Sequence, residues 1–116
     1  MAVPDQQDVT RVFRALSVEK RVEIVRLLGE RVLCVGALSH LLGISAGAVS
    51  QHLRILRDAG IAKPDRRGYF THYSLAPEAS GRCLEIMDSL FGKKTEKKEG
   101  SSTCVTKKPG ARSQRS

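Results

Sequence analysis

Residues 33–60 read LCVGALSHLLGISAGAVSQHLRILRDAG, and the spacing of apolar side chains within them decides the fold. Val35, Leu38, Leu41 and Leu42 recur at helical intervals, which predicts a short helix from about Leu33 to Leu42. Gly43 follows, suited to the left-handed position after a helix, and Ile44 and Ser45 complete a tight turn. Ser45 offers a side-chain oxygen to cap the next helix. There Val49, Leu53 and Leu56 stand at i, i+4 and i+7, and Gly60 marks the end. Two helices joined by so short a turn make a helix-turn-helix.

Working upstream, Val9, Val12, Phe13 and Leu16 form one apolar stripe on a first helix from about residue 6 to 16. Ser17 is placed to cap a second helix that turns Val18, Val22, Val25 and Leu28 inward and stops near Gly29. Downstream the period changes to that of strands. IAKPD, the basic turn Arg66-Arg67-Gly68 and YFTHYSL predict a two-stranded hairpin with Tyr69, Thr71, Tyr73 and Leu75 on one face, and Pro64 marks the first strand as an edge. Pro77 opens a fifth helix with the stripe Ala79, Cys83, Ile86, Met87 and Leu90, closed by Gly92. The fold class is therefore mainly α with a small β-hairpin: a winged helix-turn-helix of five helices and a two-stranded wing, in one domain over residues 1–91. Residues 92–116 hold too little apolar surface to offset their ordering entropy and are expected to be a disordered basic tail.

At 116 residues the chain has room for one compact domain, and with aromatics at 4% its core must be aliphatic. The net charge is +8. From Met1 to Phe91 there are 12 basic and 10 acidic residues, against 8 and 2 from Gly92 to Ser116, so most of the excess lies in the tail. Such a balance calls for a polyanionic partner, a nucleic acid or an anionic membrane surface. The sequence contains no membrane-length apolar run, and MAVPDQQDVT lacks the parts of a signal peptide, which leads to the expectation of a soluble, cytoplasmic protein without a membrane partner. His40, His52 and His72 fall on three different elements. With no glycine-rich phosphate loop, paired catalytic carboxylates or nucleophile elbow, an enzyme is not expected.

The second helix of the pair has the properties of a DNA-reading helix: an apolar face that anchors it and small or polar residues near its N-terminus, where they can enter a major groove. Ser45, Ala46, Gly47, Ser50, Gln51 and Arg54 lie off the anchoring face, and Gln51 can pair with adenine through two hydrogen bonds. His52 and Arg54 suit phosphate contacts, which position a protein without reading sequence, although Arg54 also reads as a solvated charge. Arg66 and Arg67, followed by Tyr69, suit the backbone or minor groove beside the helix, or simply an exposed turn. Nonspecific nucleic-acid binding and a protein-interaction winged helix are the competing classes. A lack of preference for any operator over random DNA would mark either.

The stretch from Phe13 to Leu75, above all VSQHLRILRDAGI and RRGYFTHYSL, resembles the ArsR/SmtB family of bacterial metal-responsive transcriptional repressors. The resemblance implies a homodimer through the first and last helices, bound to a palindromic double-stranded DNA operator and released by an inducer. Arsenite-sensing members resemble ELCVCDLC at the start of the third helix. Here RVLCVGALS keeps Cys34 but has Gly36 at the second cysteine, so a local three-thiolate site is missing. The zinc-sensing pattern of the last helix is missing too, since residues 77–91 contain no histidine.

Arsenite or another thiophilic ion wants thiolates, which leaves a site built from Cys34, Cys104 and, less readily, Cys83. The span from Gly92 to Cys104 reaches about 19 Å if flexible, enough to bring Cys104 toward Cys34 of the same or the partner chain. Cys83, on an apolar stripe, also reads as a small core hydrophobe, as does Cys34. The same thiols would serve a redox-responsive repressor instead.

Overall fold

A computed structural model of the chain describes residues 4–92. Of the tail expected over residues 92–116, residues 93–116, Cys104 among them, lie outside the described residues. Among the described residues, those up to Ile86 form one compact unit, and a second unit begins at Met87.

Helix α1 spans Gln6–Ala15 and is capped by Asp5, whose carboxylate accepts the Asp8 N–H at 2.8 Å. Its stripe is buried at Val9, Val12 and Ala15, while Phe13 is 40% exposed. Helix α2 runs Glu19–Glu30. Its cap position is Val18, with no side-chain bond, and not the expected Ser17. The Ser17 hydroxyl donates backward to the Arg14 carbonyl at 2.8 Å, so it finishes α1 instead of starting α2. The buried face of α2 is also turned relative to expectation: Arg21, Ile24 and Leu28 are inside, and Val18, Val22 and Val25 only partly so.

Leu33 and Cys34 form strand β1, after which α3 covers Val35–Leu42. Cys34 caps α3, its Sγ accepting the Ala37 N–H at 3.4 Å. The third helix thus begins two residues later than its apolar pattern implied. Gly43 adopts φ 68° and ψ 32°, the left-handed conformation that a side chain would strain. Leu41, expected inward, is 46% exposed. Helix α4 follows over Ala46–Asp58, and Gly60, at φ 79°, carries the chain out of it.

Strands β2 (Ala62–Arg67) and β3 (Phe70–Leu75) pair antiparallel, but the sheet has three strands in the order β1-β3-β2. Two residues are too few to show a strand period, which is why β1 was illegible. β2 is an edge, as Pro64 requires. Gly68, at φ 64°, and Tyr69 form the turn, so Tyr69 is not on the strand face with Tyr73 but stands 97% exposed. Helix α5 spans Ala79–Phe91, and Pro77 sits in the turn ahead of it, not at its first position.

The core of the first unit is aliphatic: Ile24, Leu38, Val49, Leu53, Leu56 and Ile86 are its largest fully buried side chains. Three of them belong to α4, so that helix is anchored on the face opposite the one it offers outward. No helix of the described residues is long and apolar enough to cross a membrane.

Candidate nucleic-acid interface

The turn between α3 and α4 is closed by Ser39. Its hydroxyl donates to the Ile44 carbonyl at 2.6 Å, while its own carbonyl accepts the Gly43 N–H at 2.9 Å. Ser45 then starts α4 from an extended conformation, its Oγ accepting the Ala48 N–H at 3.1 Å. With Val49, Leu53 and Leu56 buried, helical geometry carries the other faces outward: Ser45, Ala46, Gly47, Ser50, Gln51 and Arg54 are all exposed. The small residues at 46 and 47 leave the N-terminal turn narrow enough for close approach to a partner. These six of the residues expected at a DNA surface therefore lie open on α4 and its cap.

His52 differs from them, being half-buried. Its Nδ1 lies 3.2 Å from Nη1 of Arg21, and its pKa is lowered from 6.5, first by burial and second by the Arg21 charge. The neutral imidazole is thereby favoured. Sequence reading missed Arg21, because an arginine among Val18, Val22 and Val25 looks like a solvated charge, and no local signal announces its burial.

The wing presents Arg66, Arg67 and Tyr69, all exposed. Arg67 is paired, its Nε 3.0 Å from Oδ2 of Asp65. An exposed pair of this kind is weak and can be exchanged for a phosphate. Phe70, which the sequence reading did not select, is 65% exposed beside Tyr69.

The cysteines are set apart by their surroundings. Cys34 and Cys83 are both free and partly exposed. Cys83 packs against the core and lines an apolar cavity of about 120 Å³ with Leu16, Val25, Ile61 and Leu75, an environment for a small hydrophobe. Cys34 stands opposite His72, whose buried Nδ1 has no hydrogen-bond partner. Among the described residues no group of three or more His, Cys, Asp and Glu could hold a metal ion. The described donors therefore do not complete an arsenite or zinc site on their own.

Comparison with known proteins agrees with this arrangement. Residues 19–63 match the family model "Bacterial regulatory protein, arsR family". The chain is 39% identical to a cadmium resistance transcriptional regulatory protein CadC homolog of Staphylococcus aureus, over 73% of this chain and 71% of that one. It is 34% identical to the arsenical resistance operon repressor of Escherichia coli, over 75% of each. Among solved structures, it superposes on a homodimeric winged helix-turn-helix DNA-binding domain from Mycobacterium bovis with a TM-score of 0.62 and 25% identity, covering 78% of this chain and 90% of that domain. A helix-turn-helix closed by Ser39 and Ser45, an outward polar face on α4 and a basic wing, together with these relatives, place the chain in the ArsR family of bacterial transcriptional regulators.

Proposed function

We propose that the protein is a dimeric transcriptional repressor that reads a palindromic operator and leaves it when an inducer binds. The observation that carries this is the open face of α4. Gln51 and Ser50 are offered to base edges, Ser45, Ala46 and Gly47 allow close approach, and His52 and Arg54 contact phosphates. Arg66, Arg67 and Tyr69 extend the contact onto the neighbouring backbone or minor groove. Dimerisation is supported by the M. bovis neighbour and by apolar side chains left open, Phe13 on α1 and Leu84 on α5, 40% and 66% exposed. In a symmetric dimer the two reading helices would sit about 34 Å apart, matching half-sites about 10 base pairs apart.

The inducer is a thiophilic ion such as arsenite or cadmium, a class supported by the cadmium and arsenical regulators among the relatives. Cys34 would hold it as a thiolate, with Cys104 brought in from residues 93–116 and the His72 nitrogen opposite as a further donor. Cys83, enclosed by aliphatics, is the weaker candidate. The test is operator binding by the purified, reduced protein during titration with arsenite, cadmium and zinc. Release by thiophilic ions supports the reading. Specific binding that none of them disturbs would keep the repressor and remove this sensor.

A further inference from the structure

Arg21 is the one buried charged side chain among the described residues, 7% exposed. Its guanidinium is divided between two helices. Nε donates to the Ala15 carbonyl at 2.8 Å and Nη2 to the Arg14 carbonyl at 3.1 Å, both at the end of α1, while Nη1 meets His52 Nδ1 of α4 at 3.2 Å. Carbonyls at a helix end lack intrahelical donors and carry partial negative charge, so a cation there is well placed. A guanidinium has donors and no acceptor, so His52 Nδ1 must be the acceptor. In the neutral ring the proton then sits on Nε2. With Nδ1 occupied, the only hydrogen bond left to the imidazole is donation from Nε2.

A second arginine makes a matching link at the other end of α1. Nη1 of Arg82 donates to the Ala59 carbonyl at the end of α4 at 2.8 Å, and its Nη2 lies 3.6 Å from the Asp8 carboxylate. The reading helix is thus tied to α1 at two places, of which only the Arg21 link touches a residue of the proposed DNA surface.

We propose that Arg21 is a positioning residue for DNA binding, which fixes α4 against the end of α1 and holds His52 as the Nε2–H tautomer, a donor for a phosphate oxygen of the bound duplex. Lysine cannot replace it, since a single ammonium cannot reach two carbonyls of one helix and a ring of another in this planar arrangement. The inference rests on the DNA-binding reading above.

Two measurements on the full chain test it. The first is nitrogen NMR of the His52 ring in the free wild-type protein above pH 7, where Nδ1 is expected to be unprotonated and Nε2 protonated. A ring protonated at Nδ1 overturns the proposal and requires no variant. The second is a double-mutant cycle on operator affinity with Arg21→Gln and His52→Ala, on variants shown by thermal melting to be folded. Each substitution is expected to weaken binding about tenfold, and the double variant no more than Arg21→Gln alone. Independent, multiplying losses overturn the link. Should Arg21→Gln not fold, Arg21→Lys takes its place, with the same loss expected, and wild-type affinity in that variant counts against the proposal. If the wild-type chain does not prefer its operator over random duplex, the DNA-binding reading fails instead, and the ring tautomer still reports on the Arg21 link.

Discussion

Cys34 and His72 face each other across β1 and β3, and the imidazole Nδ1 of His72 is buried with no hydrogen-bond partner. Directly opposed residues of an antiparallel pair point to the same face of the sheet, so a thiol and an unsatisfied ring nitrogen share one surface at the start of α3. Replacing Cys34 with serine should preserve the fold, because serine caps a helix at least as well as the thiol does here. Cys34→Ser should raise the thiophilic-ion concentration that half-releases the operator at least about tenfold, whereas Cys83→Ser should leave it unchanged. An unchanged release midpoint in Cys34→Ser would remove Cys34 from the sensor, and a rise in Cys83→Ser would bring Cys83 into it.

Gly60 is required where it stands. Its φ of 79° is left-handed, and an added Cβ would lie 2.6 Å from Nη1 of Arg82, the atom bonded to Ala59. Gly60→Ala should lower stability to urea by about 1–3 kcal/mol, combining backbone strain with displacement of that hydrogen bond. In an Arg82→Ala background the strain remains and the displacement does not, so the loss should be smaller there.

The two faces of α4 should separate cleanly under substitution. Leu53→Ala removes a fully buried side chain and should cost about 2–5 kcal/mol of stability. Gln51→Ala, on the exposed face, should leave the melting temperature unchanged and weaken operator binding by about tenfold. Comparable losses of affinity for operator and random DNA would show that Gln51 does not read a base.

Stability should depend on pH through His52. Its pKa in the folded chain lies below the ordinary 6.5, so the unfolded chain takes up a proton first as pH falls. The contribution of the neutral ring is full above pH 6.5 and is lost as pH drops toward the folded value. Unfolding curves from pH 7.5 to 5 should show this decline, and His52→Gln should flatten it in part.

Residues 92–116 carry 8 of the 20 basic side chains. If they form a nonspecific arm on DNA, their deletion should flatten the salt dependence of binding by about 0.9 for each phosphate released. An unchanged slope would leave them a solvated end.

Much of this architecture is legible in the sequence because the governing signals are local. Gly43 and Ser45 announce the turn, and the i, i+4, i+7 spacing of Val49, Leu53 and Leu56 fixes the buried face of α4 and hence its open one. What was not legible depends on distant partners. Arg21 is inside because carbonyls of α1 and a ring of α4 converge on it, and β1 exists only because Tyr73 and His72 offer it a strand to pair with. Ser17 had two uses for one hydroxyl, and its bond to Arg14 won over the start of α2.

The most direct measurement is the affinity of the full, reduced protein for duplex from upstream of its own gene, set against random duplex of equal length at fixed salt. A repressor reading bases with α4 should prefer the former by about a thousandfold or more and protect two half-sites about 10 base pairs apart. Equal affinity for the two duplexes, with no protected half-sites, would contradict it.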